Sequence, residues 1–386
     1  MALDTTSRNS NLELLEVLEE EMGRLGLTPE RIPNADGSKA NLLLTLPAAD
    51  GSTGGGIVLS GHTDVVPVDG QRWSSDPFKS EVREGRLYGR GTADMKSYLG
   101  VIMHRLPALA AATLSEPVHL AFSYDEEVGC FGGAQLAAAL GARAEPPRVC
   151  LVGEPTSMRV IAGHKSSNLV QVTFHGRSAH SSLTPEGVNA IEYASRLVTT
   201  VRDLADARRA DGPFDDAYRV PWTTIGVNTI SGGIATNTVP ELCTLRYEFR
   251  TVSQEDPATV IDALTARARE LESQMQAEHA EAHVEVEVMA QVPSLDSRDD
   301  GPAYRLAVEL GGTASSDKVT YGTEAGQFAG AGIDAVVCGP GDIAQAHAAD
   351  EYVELDQITA CERYLDTLIA QLSSDGTPRP DHQGAA

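Results

Sequence analysis

Positive charge is scarce in this chain relative to negative. Thirty Lys and Arg stand against 55 Asp and Glu, a formal net charge of −25. That balance excludes the basic surface that nucleic acid or an anionic membrane needs in a partner. Long apolar runs are missing as well. No stretch of about 18 apolar residues offers a membrane span, and Met1 to Glu20 alternates polar and charged residues without an apolar signal core. The five cysteines (Cys130, Cys150, Cys243, Cys338 and Cys361) form no CxxC pair and no disulfide-framework spacing. A reducing, cytoplasmic setting is the expectation. Internal repeats are absent too. What is present is an ordinary globular composition, 41% hydrophobic and 22% charged over 386 residues, enough for two domains with separate cores.

Periodicity divides the chain. Asn11 is placed to cap a helix whose apolar positions Leu14, Leu15, Leu18, Met22 and Leu25 recur at helical spacing and stop at Gly26. Strands are predicted over 41–46, 57–60, 118–124, 148–152 and 335–338, and helices over 96–112, 133–140 and 355–372. Buried strand alternating with helix predicts an α/β domain: a mixed, mainly parallel sheet with helices on both faces. Between these stretches the pattern reads strand, helix, two strands, helix, strand, the order of a ferredoxin-like α+β unit. The expected organisation is a catalytic domain of 1–166 and 290–386 carrying an inserted domain of 167–289. The tail from Ser373 reads as disordered.

Several apolar runs end in groups that can bind a cation. They are Gly61-His62-Thr63-Asp64, Asp125-Glu126-Glu127, Gly153-Glu154-Pro155 and the stretch from Gly339 to His347, with Gly91-Thr92-Ala93-Asp94-Met95-Lys96 before a helix. Strand ends are where ligands gather in α/β proteins. Taken singly, Asp94 reads as a helix cap and Glu126-Glu127 as a solvated loop. Together they supply more than one zinc needs and suit two metal ions sharing a carboxylate. Asp64, two positions after His62, is placed to accept the second ring N–H of a metal-binding imidazole. One of two adjacent glutamates can hold metal while the other handles a water proton.

These motifs, with Gly322-Thr323-Glu324-Ala325-Gly326 and Gly339-Pro340-Gly341 through Gln345-Ala346-His347, resemble the co-catalytic zinc aminoacylases and peptidases over nearly the whole chain. Within that family the wording is closest to the acetylornithine deacetylases, with the succinyl-diaminopimelate desuccinylases nearby. The resemblance implies a metal-dependent amidohydrolase of the arginine-biosynthesis type, holding two divalent ions, zinc first and cobalt as an alternative. It implies that Asp94 bridges the ions and that the Asp94–Met95 peptide is cis. His62 and Glu154 complete one site, Glu127 and His347 the other. Asp64 orients His62, and Glu126 is the general base for a water shared by both ions. The inserted domain implies a homodimer. His180, in Ser178-Ala179-His180-Ser181-Ser182, would reach the partner's site and steady the oxyanion, whereas without the resemblance it reads as a turn residue. Asn237, Arg250, Gly322 and Thr323 would contact a small N-acyl amino acid. Other members of the family, acting on dipeptides, succinylated diamines or specialised metabolites, are rival readings, and an inactive metal-binding module is a rival of another class.

Two departures accompany the resemblance. A helix usual before the segment at Leu3 to Ser7 is absent, and Ser166-Ser167 stands where relatives often carry glycine. Both bear on substrate identity rather than on the metal ligands.

Overall fold

The computed structural model describes residues 1–373. The sequence reading of the tail after Ser373 concerns residues outside that range. Ten strands carry the two main sheets. In chain order they are β1 (Glu30–Pro33), β2 (Ala40–Leu46), β3 (Ile57–His62), β4 (Val118–Ser123), β5 (Val149–Pro155), β6 (Ser167–His175), β7 (Thr224–Gly232), β8 (Leu242–Arg250), β9 (His283–Val292) and β10 (Asp334–Gly339). The helices that pack on them are α1 (Leu12–Arg24), α2 (Lys96–Ala111), α3 (Phe131–Gly141), α4 (Ala190–Asp211), α5 (Pro257–Glu278), α6 (Pro302–Glu309), α7 (Ala325–Gly330) and α8 (Leu355–Leu372).

Two compact units result. The first is Met1–Ala162, Ser297–Ser316 and the chain from Thr323 onward; the second is Gly163–Asp296 with Asp317–Gly322. The sequence-drawn limit at 289/290 falls inside β9. The short return at 317–322, assigned from sequence to the catalytic domain, clusters with the second unit.

The first unit is built on the order β1-β2-β4-β3-β5-β10, in which β4, β3, β5 and β10 run parallel. Every residue of β3, β4 and β5 is buried, as strands covered on both faces must be. One face, through Leu42, Leu59, Leu120 and Leu151, joins α1, α2, α6 and α8 in a single core. The other meets α3 and α7. Close approach of α2 depends on a missing side chain: a Cβ on Gly153 would lie 2.2 Å from a Tyr98 ring carbon. Asn11 does not cap α1 with its side chain. Its amide instead donates to the Ala40 carbonyl (2.8 Å) and Thr63 Oγ1 (2.9 Å) and accepts the Ala40 N–H (3.1 Å). These long-range bonds outcompete the local one and tie the start of α1 to β2 and to the residue after His62.

The second unit has the antiparallel order β7-β8-β6-β9, the strand arrangement of the ferredoxin-like unit. Alternate residues of β6 are buried (Asn168, Val170, Val172, Phe174), and from Val170 on they pack with α4 and α5 in a second core. Ser166 is fully buried, and its hydroxyl pairs with Thr251 Oγ1 at 2.8 Å while accepting the Thr251 N–H. No helix among the described residues is long and apolar enough to cross a membrane. All five cysteines are free and buried.

Candidate metal centre

The parallel strands of the first unit all present their carboxyl ends on one edge. His62 ends β3, Glu126 and Glu127 follow β4, Glu154 lies in β5, and the loop after β10 carries His347. Asp94 arrives from the turn before α2. Its carboxylate does not cap that helix, whose N-cap is Met95, and the Asp94–Met95 peptide is cis.

Two groups of metal-type ligand atoms form there: His62, Asp94 and Glu154, and Asp94, Glu127 and His347, the atoms of each group within 4.8 Å of one another. Asp94 belongs to both, and its two oxygens face different imidazoles. Oδ1 is 2.9 Å from His62 Nε2, and Oδ2 is 3.2 Å from His347 Nε2. His62 Nε2 also lies 3.6 Å from Glu154 Oε1, and His347 Nε2 lies 3.0 Å from Glu127 Oε2. The residues fit a pair of metal ions by a separate criterion: Glu127 Oε1 and Glu154 Oε1 are buried without any hydrogen-bond partner, a costly condition unless a cation meets them. The His62 side chain is fully buried, whereas that of His347 is 52% exposed, so the second group opens to solvent.

The electrostatics have one origin. Four carboxyl groups crowd a space with little water. Removal from water and the neighbouring charges push Glu126 up to about 8, and the same causes push Glu127 up to about 7. Glu154 is raised well above the usual range by burial and then by Asp94. Burial works against Asp94 too, but hydrogen bonds from His347 and His62 outweigh it and hold that group below the carboxylate range. The bonds to Asp94 and Glu127 raise His347 to about 10. Such a cluster is arranged to accept positive charge.

Glu126 lies in neither ligand group. Its Oε1 accepts from the Cys130 thiol (3.2 Å), and its backbone N–H donates to Asp64 Oδ1 (3.1 Å). Asp64 also takes the Glu127 N–H (3.3 Å) and the Ser7 hydroxyl (2.7 Å) on Oδ2. The second ring N–H of His62 goes to the backbone carbonyl of Asp64 at 2.9 Å, with the carboxylate at 3.6 Å. Asp64 therefore orients His62 chiefly through its main chain, while its side chain holds the Glu126-Glu127 turn.

Several supporting residues escaped sequence reasoning. Glu351 Oε1 accepts the Ala93 and Asp94 N–H groups (2.9 and 3.1 Å), and Oε2 pairs with Arg90 at 2.5 Å, both side chains 1% exposed. Arg90 also donates to Gln71, which donates to the His347 carbonyl (2.8 Å). Glu324, fully buried, accepts from Ser60 and Ser123 (2.6 and 2.7 Å). Arg90 beside Gly91 and Glu351 four positions after His347 were visible signals. Ser7, 57 positions before Asp64, offered none.

Of the other predicted site residues, His180, Asn237, Arg250 and Gly322 belong to the second unit and Thr323 to the first. His180 pairs across a short bridge with Thr238, and the Ser181 N–H donates to the Asn237 carbonyl (3.0 Å), so the two predicted loops are neighbours. Arg250 is half-buried and bonded to Glu248 (2.5 Å). Gly322 is half-buried in the second unit. Thr323 begins the last stretch of the first unit, fully buried, and its Oγ1 accepts the Ala325 N–H at the start of α7.

Comparison with known proteins agrees with this geometry. Residues 58–371 match the model of peptidase family M20/M25/M40. The chain is 33% identical over 374 residues to the acetylornithine deacetylase of Myxococcus xanthus, covering 96% of this chain and 94% of that one. The acetylornithine deacetylase of Proteus mirabilis is likewise 33% identical, with 95% and 92% covered. In fold, a tripeptidase from Staphylococcus aureus superposes with a TM-score of 0.70 at 21% identity, covering 96% of both chains. A dinuclear metal-binding M20 peptidase from Bacillus subtilis superposes with a TM-score of 0.61 at 12% identity, covering 93% and 92%.

Proposed function

The chain belongs to peptidase family M20/M25/M40, and on that premise we propose that it hydrolyses the amide of an N-acyl amino acid, with Nα-acetyl-L-ornithine as substrate, as in arginine biosynthesis. The observation that carries this reading is Asp94 shared between two ligand groups, with Glu126 in neither but close enough to feel the charges of His62, Glu127 and Asp94. Curated relatives named acetylornithine deacetylase, matched over nearly the full chain, support the substrate.

In this reading His62 and Glu154 would hold one divalent ion and Glu127 and His347 the other, with Asp94 common to both groups. The nitrogen and oxygen donor set suits zinc, with cobalt a workable substitute. Bound there, the ions would supply Lewis acidity toward the amide carbonyl and toward water. Glu126 takes the proton of the attacking water and returns it to the leaving amine.

His180 serves the developing oxyanion. Ser182 N–H donates into His180 Nδ1 (3.2 Å), so the neutral ring carries its proton on Nε2, where it can donate. Asn237 stands beside it as a substrate contact. Arg250, whose Nε is taken by Glu248, keeps its terminal nitrogens for the substrate carboxylate. Gly322 supplies room at the same unit's edge, and the buried Thr323 we assign to holding α7 rather than to substrate. A homodimer through the second unit is part of the proposal. The edge strand β7 carries exposed Ile230, with Ile234, Leu242 and Ile191 also exposed at 90%, 47% and 38%, a patch that pairing would cover. Free, buried cysteines are in keeping with a cytoplasmic setting.

The test is a panel of Nα-acetylornithine, acetyl-lysine, N-succinyl-diaminopimelate, acetylmethionine and a dipeptide, with zinc or cobalt supplied. Acetylornithine should give the highest kcat/KM. Turnover of another member with none on acetylornithine would refute the substrate, and no turnover of any would refute the hydrolase.

A further inference from the structure

A second set of metal-type ligands lies in the second unit. His175, the last residue of β6, stands directly opposite His283, the first of β9, with their rings stacked at 4.3 Å and 7°. Glu285 is two positions along β9, which puts it on the same face of the sheet as His283. Its carboxylate lies against both rings: Oε2 is 3.4 Å from His175 Nε2, and Oε1 is 3.8 Å from His283 Nε2.

The protonation of these rings makes the arrangement unusual. His283 Nδ1 faces the Glu281 carbonyl at 3.1 Å. A carbonyl only accepts, so that nitrogen carries the proton, and in the neutral ring Nε2 is a bare acceptor. It then points at a carboxylate, which also only accepts. His175 Nε2 is buried and makes no hydrogen bond of its own. Two acceptors, His283 Nε2 and the Glu285 carboxylate, thus face each other beside a buried ring nitrogen that has no partner, an unfavourable state unless a cation stands between them.

We propose that His175, His283 and Glu285 form a third metal site for a divalent ion of the zinc type, separate from the two ligand groups of the first unit. The donors (two imidazoles and one carboxylate) are a zinc set, and the Nδ1–H to Glu281 bond is the support that a metal-binding imidazole usually has. All three ligand atoms lie within 4.8 Å. Tetrahedral zinc needs its nitrogens about 3.4 Å apart. The His283 side chain is 48% exposed, so no packed neighbour holds its outer face. The bound ion would clip the end of edge strand β9 to β6.

The test uses full-length protein already loaded with two equivalents of zinc, titrated with further Zn2+ at pH 7.5 and, in parallel, with Cu2+ read by electron paramagnetic resonance. Wild type should take a third equivalent, and the copper spectrum should carry the splitting of two imidazole nitrogens. His283→Gln and Glu285→Gln should each weaken the third equivalent by about tenfold or more, leaving the first two equivalents and turnover unchanged. Both residues are exposed at a strand end, and an unchanged melting temperature without the third equivalent confirms folding. The proposal is overturned if wild type stops at two equivalents, the outcome of an imidazolium–carboxylate contact held by a proton alone. It is equally overturned if both variants keep the third equivalent undiminished.

Discussion

Glu126→Gln separates proton transfer from metal binding. The substitution keeps the size of the side chain and leaves an amide oxygen for the Cys130 thiol, which reaches Glu126 Oε1 at 3.2 Å. The bonds from the Glu126 and Glu127 amides to Asp64 (3.1 and 3.3 Å) come from the main chain and are untouched. Both ligand groups therefore survive, and what is lost is a base. A positioned general base is worth about 10²–10⁴-fold in rate, or about 3–5 kcal/mol of barrier. Removing one of four crowded carboxylates also lessens repulsion, so neither metal content nor melting temperature should fall. The assay is release of the free amine from Nα-acetylornithine, with metal content by mass spectrometry on the same sample. Glu127→Gln is the contrast, because it should lose metal. Wild-type turnover in metal-replete Glu126→Gln would refute the assignment. Metal loss equal to that of Glu127→Gln would show that Glu126 is itself a ligand.

Other expectations follow from single contacts. Ser7→Ala removes a hydroxyl donated at 2.7 Å to the buried Asp64 carboxylate; urea unfolding should show a loss of about 1.5–3 kcal/mol, and no change would mean that Asp64 is held without it. Gly153→Ala would set a methyl 2.2 Å from the Tyr98 ring, an overpacking that costs about 1–3 kcal/mol or more, read as a lower melting temperature. Burial lowers the His164 pKa from 6.5 to about 4, so between those values the unfolded chain binds the proton and the folded one does not. Stability should be complete above pH 6.5 and fall by about 3 kcal/mol as pH drops toward 4. His164→Asn should flatten that part of the stability–pH curve, and an identical acid dependence would refute the shift.

Much of this was legible in the sequence because each metal-type ligand sits where a local pattern ends. Strand periodicity located the segments that carry His62, Glu127, Glu154 and His347, the resemblance gave each its role, and the ferredoxin-like order came from the sequence of strands and helices in the inserted stretch. What stayed hidden depended on pairing between distant segments. Asn11 reads as a cap because the sequence shows only its helix, whereas the fold offers it Ala40 and Thr63. Strand β9 runs to Val292, past the domain limit drawn from sequence at 289/290, because pairing with Ser167 extends it. His175 and His283 are 108 positions apart, and only the register of β6 on β9 makes them opposite. Ser7, Arg90 and Glu351 likewise act on residues that the sequence does not bring near them.

The supporting residues share one device. Asp64 takes the backbone N–H groups of Glu126 and Glu127, and Glu351 takes those of Ala93 and Asp94. In both places a buried carboxylate holds an acidic segment by its main chain, so its position is fixed without an Arg or Lys on the side-chain oxygens. A donor placed on the acidic side chains would have neutralised the charge that a cation needs to find. Holding them by the backbone fixes their position and keeps Glu127 Oε1 without a partner. The cost is two further buried anions, and each is met by its own counterpart. Arg90 pairs with Glu351, and the Ser7 hydroxyl and the nearby His62 ring stabilise Asp64. Preorganisation and charge are thus supplied by different residues, which is why two neighbours in sequence, Glu126 and Glu127, can take different tasks within one turn.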